Sequence, residues 1–239
     1  MKTSRIAASA LAMSALLPLT ASAQDLSVTV TNLTHGIYFT PVLVAAHEDG
    51  THLFQQGQAA SASLQAMAEG GSLAGLVTDV INANGTYSEN PAMGMLAPTA
   101  STTTTLNTDG TSNTYLSVVA MMLPTNDGFI GLDSIAIPTE AGTYTFLLNA
   151  YDAGTEANDE LLNPGAGGAP GVAGIPGAPG GDTGTGGTGA AGADSNTMVH
   201  IHRGALGDTN ATGGTSDLDS RIHRWLNPVA KVVLTVSNP

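Results

Sequence analysis

Two short stretches place carboxylates just past apolar, strand-like runs. Pro124-Thr125-Asn126-Asp127-Gly128 follows the run from Tyr115 to Leu123, and Asp152-Ala153-Gly154-Thr155-Glu156 follows the run from Gly142 to Tyr151. If the two runs are strands pointing the same way, Asp127, Asp152 and Glu156 converge at one pole. Several carboxylate oxygens on short loops, with backbone carbonyls and water, form the set that a hard cation such as Ca²⁺ takes. Asn-Asp and Asp-Gly are also ordinary turn formers, so spacing alone leaves both readings open.

The charge distribution bears on that choice. The chain has 6 Lys and Arg against 19 Asp and Glu, a formal −13, and no Lys or Arg occurs between Gln24 and His202. Acids in that stretch have no local cation, so each must be solvated, hydrogen-bonded or metal-bound. A surface that merely keeps an exported protein soluble accounts for many of them. The same deficit of cations excludes a nucleic-acid partner.

The histidines form a second constellation. His200 and His202 in Thr197-Met198-Val199-His200-Ile201-His202-Arg203 point to one face if the stretch is a strand, the spacing of a Zn²⁺ or Cu²⁺ site on a sheet. A third ligand is then required, for which His47 and His223 are candidates. Partly exposed histidines bonded to the backbone are the plainer reading. Asp217, Asp219, Arg221 and Arg224 read as a surface ion-pair cluster, and Trp225, the single tryptophan, as a core anchor. No G-x-S-x-G, phosphate loop, dinucleotide fingerprint or H-E-x-x-H is present, and with no cysteine there is neither a thiol nucleophile nor a disulfide. The sequence predicts no enzyme.

The elements that must position these groups are mostly strands. Asp25–Asn32 alternates apolar and polar residues, and 36–46 is a second strand in which Pro41 implies an edge or bulge. The stretch 58–69 is rich in helix formers and ends at Gly70-Gly71, after which Ser72 can cap a short second helix to about Ile81. A polar, Thr-rich segment from Thr99 to Thr114 leads to the strand 115–123. Strands over 142–151, 197–203 and 228–237 complete the set, so an all-β antiparallel sandwich with one or two short helices is expected.

Residues 164–195 differ in kind. Gly165, Gly168, Gly171, Gly174, Gly177 and Gly180 keep a period of three, but for too few triplets to hold a collagen triple helix. The segment predicts a mobile or polyproline-like surface insertion in one domain spanning 24–239. Residues 1–23 read as a secretory signal. Lys2 and Arg5 precede an apolar run, and Ala21-Ser22-Ala23 gives the small-residue cleavage site. Cleavage would remove two positive charges, taking −13 to −15. The mature chain is then expected from Gln24, periplasmic or extracellular, without a transmembrane segment.

Five stretches carry a family resemblance: THGIYFTPVLVAAH, FQQGQAASASLQAMAEGG, PTNDGFIGLDSI, NAYDAGTEANDE and NPVAKVVLTV. Together they resemble a spondin domain, a module of secreted matrix proteins also found in exported bacterial proteins. The resemblance implies a β-sandwich similar to calcium-dependent membrane-binding sandwiches, with a calcium site where a Pro-Asp-aromatic-Val-Gly loop meets an Asp-Ala-Gly-Thr-Asp loop. It places Asp127 in the first loop and Asp152 and Glu156 in the second. The chain departs from the pattern in having Glu156 for Asp and Gly128 beside Asp127 where the family has tryptophan. It lacks the cysteines of animal members, and both the Gly-rich insertion and the HIHRG segment lie outside the animal pattern. The implied function is a calcium-stabilised adhesion or matrix-type module whose partner is a protein, a glycan or a surface. A metal-dependent enzyme or a Zn/Cu protein using His200 and His202 is the alternative.

Overall fold

The computed structural model describes residues 24–190 and 196–237. The expected signal, 1–23, lies outside the described residues. The described residues fold into ten strands and two helices. In order they are β1 (Asp25–Asn32), β2 (Tyr38–Phe39), β3 (Leu43–His47), α1 (Ala62–Gly70), α2 (Ala74–Asn82), β4 (Thr86–Glu89), β5 (Ser101–Asn107), β6 (Tyr115–Leu123), β7 (Gly128–Ala136), β8 (Gly142–Asp152), β9 (His200–Ile201) and β10 (Ala230–Ser237).

All pairings between these strands are antiparallel, in the order β4-β3-β6-β7-β8-β10-β1-β5. The sheet curls until its two ends meet, where the Thr104 hydroxyl on β5 donates to Ser88 Oγ on β4 at 2.7 Å. The result is the all-β sandwich the sequence predicts, close to a closed barrel. Inside lie Val28, Val30, Phe39, Leu148, Val232 and Leu234. These are the inward members of alternating strands, which bury every second side chain.

A second core covers the opposite face of β3, β6 and β7. Leu64 and Met67 of α1 and Leu76 and Val80 of α2 pack there on Leu43, Val119, Met121 and Phe129. This double burial explains why β6 reads as an uninterrupted apolar run rather than an alternating one. The Ser61 hydroxyl caps α1 by accepting from Leu64 N at 3.1 Å, and Gly71 ends it at φ 71°, a left-handed conformation that favours glycine.

Several elements differ from the sequence expectation. Pro41 breaks the expected 36–46 strand into β2 and β3, and β3 is interior, between β4 and β6. Leu73 rather than Ser72 occupies the cap position of α2, with no side-chain cap bond. The Thr-rich segment contains β5, paired with β1 over seven residues, while 197–203 forms only the two-residue β9. Strands β4 and β7 form from stretches without a strand pattern in the sequence.

The insertion is also built differently from the mobile segment predicted. Ile175 is fully buried and bridges Leu162. Backbone amides of Gly171, Gly174 and Gly187 donate to Glu69 Oε2 (2.6 Å), Glu156 Oε2 (2.9 Å) and Asp217 Oδ1 (2.9 Å). The physical reason is the missing cations: buried carboxylates need donors, and a glycine-rich backbone brings its N–H groups within reach. The approach is close at Gly70, where a Cβ would sit 2.1 Å from the Gly168 carbonyl oxygen.

Candidate functional site

β6 and β8 are both antiparallel to the intervening β7, so they run the same way and end at one pole. The structure therefore brings the three predicted acids together. Asp127 precedes the first residue of β7, whose partner across the ladder is Asp152, and the Ala153 amide donates to the Asp127 carbonyl at 3.2 Å. Asp127 and Asp152 are 0% and 1% exposed.

The 152–156 turn wraps the Asp127 carboxylate. Oδ2 accepts from the Thr155 amide (2.8 Å), the Glu156 amide (3.1 Å) and the Thr155 hydroxyl (3.2 Å). Asp152 is held by the Gly154 amide at 2.8 Å on Oδ1 and by the Asn158 side-chain amide at 2.5 Å on Oδ2. Glu156 Oε2 accepts from Gly174 N and, at 3.5 Å, from the Asn126 side chain. Two buried oxygens, Asp127 Oδ1 and Glu156 Oε1, have no hydrogen-bond partner among the described residues.

The electrostatics follow. Burial, then repulsion from Asp152, pushes Asp127 up to about 6 against the bonds from the 155–156 turn. Burial also raises Glu156 to about 7, with Glu69 and Asp127 adding repulsion. Among the described residues no three His, Cys, Asp or Glu side chains form a ready metal cluster. An ion at this pole would have the two unpartnered carboxylate oxygens to draw on. The orphaned oxygens fit a hard cation, and Asp152, with both oxygens engaged, stands behind them.

His200 and His202 lie beside the same pole but in opposite hydrogen-bonding states. His202 Nδ1 accepts from the Gly204 amide at 3.0 Å, which assigns the proton of the neutral ring to Nε2 and leaves that nitrogen without a lone pair for a metal. His200 Nδ1 faces the Met198 carbonyl at 2.8 Å, so it donates, and Nε2 lies 3.7 Å from Asp152 Oδ2. Burial drives His202 down to about 4. Of the candidate third ligands, His47 ends β3 opposite Tyr115, the first residue of β6, at the far pole, and is bonded to Ser117 Oγ at 2.8 Å. His223 Nδ1 accepts from the Asp219 amide. The expected ion-pair cluster reduces to Asp219 with Arg221. Asp217 is buried, accepting from the Leu162 and Gly187 amides, and Arg224 Nε donates to the Leu206 carbonyl. Trp225 joins the inner core as predicted.

The family model Spondin_N matches residues 31–170, more than half of the chain. The chain belongs to the spondin N-terminal domain family. No curated protein matches it. The family suggests an extracellular, adhesion-type module, and no helix among the described residues is long and apolar enough to cross a membrane. The departure at Gly128 from the family pattern has a local cause in this spondin domain. A Cβ there would lie 2.8 Å from Thr125 Oγ1 and 3.2 Å from His202 Cδ2, so the Thr125 side chain and the His202 ring, tilted 53° against Trp225 at 5.0 Å, cover the space a larger residue needs.

Sequence reasoning missed Glu69, Glu160 and Asp217 as buried acids. Glu160 takes the Leu206 amide on Oε1 (2.6 Å) and the Gly207 amide and Ser216 hydroxyl on Oε2 (2.8 and 2.6 Å). The one sequence marker of such sites is the absence of Lys and Arg combined with glycine-rich partners.

Proposed function

We propose that this spondin domain is an exported binding module whose polar loops are stiffened by one calcium ion held by Asp127 and Glu156, with Asp152 orienting the turn between them. Those loops or an adjoining sandwich face then hold a protein, a glycan or a surface. The observation that carries the reading is the pair of buried, unpartnered oxygens, Asp127 Oδ1 and Glu156 Oε1, while the guanidinium at this pole, Arg203, is engaged by the Asn158 carbonyl at 3.0 Å and forms no ion pair with either acid. Calcium, when bound, supplies the positive charge that neither Asp127 nor Glu156 receives from a side chain. The chain's own part is preorganisation. The Thr155 and Glu156 amides hold Asp127 in one rotamer, and the Gly174 amide holds Glu156. Catalysis is not required of any of these residues.

Calorimetric titration tests the reading. Wild-type protein is expected to take up one Ca²⁺, Asp127→Asn to lose at least tenfold in affinity, and Asp109→Asn, in an exposed turn, to match wild type. Absence of uptake by the wild type at millimolar Ca²⁺ rules the site out.

A further inference from the structure

Alternation along β8 sends Asp152, Ala150 and Leu148 to one face of the sheet and Tyr151, Asn149 and Leu147 to the other. On that outer face, at the margin of the second core, an open groove of about 300 Å³ runs between the β7–β8 ladder and the segment carrying Phe54 and Gln56. Its floor is Gly131, paired with Asn149. A Cβ at 131 would lie 2.4 Å from Phe54 Cζ and 3.0 Å from Tyr151 Cδ2, so only glycine lets both rings lie over the sheet. Tyr151 is clamped by Phe54 (centroids 4.9 Å, 56°) and Phe129 (5.6 Å, 26°) yet stays half-exposed. Around it stand the Gln56 and Asn149 amides, the His52–Asp133 pair at 2.8 Å and Leu147, 61% exposed.

We propose that this groove binds a neutral glycan, one sugar unit stacking on Tyr151 while the amides of Gln56 and Asn149 bond its hydroxyls. A rigid, half-open aromatic ring presents a flat apolar surface to the C–H face of a pyranose. Planar amides and a carboxylate supply paired donors and acceptors for neighbouring hydroxyls. A wholly apolar ligand would strip water from those groups and return nothing. A sulfated or uronic glycan would meet the Asp133 carboxylate, with His52 already paired to it, and its one fixed cation there would be Lys231, across the ladder from Leu147 at the groove's end. A peptide adding as a strand would have only the parted stretches, where β7 beyond Gly131 pairs with β6 alone and β8 before Asn149 with β10 alone, and it would bond backbone to backbone, indifferent to the Gln56 and Asn149 amides that the variants below remove.

The same face suits further sugar units. Beyond Leu147 it continues through Thr145, Val233, Thr29 and Thr103 in one row and through the hydroxyls of Thr143, Thr235, Ser27 and Thr105 in the next. Neighbours stand about 4.8 Å apart, and neither row contains an ionisable side chain. Lys231 stands in the row nearest the groove, between Leu147 and Thr31.

The inference names the partner of the proposed module and rests on that reading only in treating the domain as a binder, because none of the groove residues is an assigned calcium ligand. Titration of the whole protein with cellohexaose, laminarihexaose, mannohexaose and chitohexaose, and with a heparin hexasaccharide, in Ca²⁺ and again in chelator, tests it. At least one neutral hexaose is expected to bind in both buffers. Gln56→Ala and Asn149→Ala should each weaken it about fivefold with melting unchanged, and Tyr151→Phe should keep most of the affinity. Tyr151→Ala should abolish binding, and if that variant unfolds the two amide variants decide. Silence from every neutral hexaose at millimolar concentration, binding of heparin alone, or full affinity in both amide variants overturns the groove. Hexaose binding that survives the groove variants leaves the module reading standing without this site. Hexaose binding with no Ca²⁺ uptake supports the groove and removes the calcium.

Discussion

Asp127 carries a conflict that its surroundings only half resolve. Three donors hold one carboxylate oxygen, while the other is buried without a partner next to Asp152. The folded state keeps its proton to higher pH than the unfolded chain does, about 6 against 3.8 for Asp127 and about 7 against 4.5 for Glu156. Between roughly pH 4 and 7 the metal-free folded state therefore binds more protons, and its stability falls as pH rises. For Asp127 the full penalty is about 3 kcal/mol above pH 6. Glu156 is half-buried, so solvent screening makes its share smaller. In chelator the melting temperature is expected to drop from pH 5 to 7.5 more steeply in wild type than in Asp127→Asn with Glu156→Gln, where the penalising charges are gone. Equal slopes would contradict the account. The acids of this pole were legible in the sequence because each follows an apolar run. Glu69, Glu160 and Asp217 were not, since most of their donors are backbone amides, as distant in sequence as Gly171 is from Glu69.

At the scale of elements, the insertion stabilises as much as it decorates. Ile175 is its buried anchor, and its glycine amides are donors that Glu69, Glu156 and Asp217 have in place of cations. Ile175→Ala is expected to cost about 3 kcal/mol, lowering the melting temperature by about 10 °C. Replacing 165–189 with a short Gly-Ser linker should cost more, because three carboxylates then lose donors. Unchanged melting after that replacement would show the segment to be decoration. Strands β1 and β6 coincide with their sequence expectations because a half-buried strand alternates and a doubly buried one is continuously apolar. Strand β7 escaped notice because Gly128, Gly131 and Asp133 interrupt its apolar pattern, and the fold needs those glycines for His202 and for the Phe54 and Tyr151 rings. Strand β4, Thr-Tyr-Ser-Glu, is ordered by pairing with β3 rather than by burial of its own.

For the whole molecule, the four Lys and Arg between 24 and 237 all lie at 203 or beyond, so backbone amides and, in the proposed reading, one divalent cation balance the acids of the remainder. An ion that binds the folded state alone adds RT ln(1 + [L]/Kd), about 2.7 kcal/mol at a hundredfold excess over Kd. In a domain of this size that corresponds to about 5–10 °C in melting temperature. The most direct test is thermal melting at pH 7.5 in millimolar Ca²⁺ and in excess chelator, for wild type and Asp127→Asn. The account predicts that chelator lowers the wild-type midpoint by about 5–10 °C and leaves the variant nearly unmoved. Identical wild-type midpoints in the two buffers would contradict it.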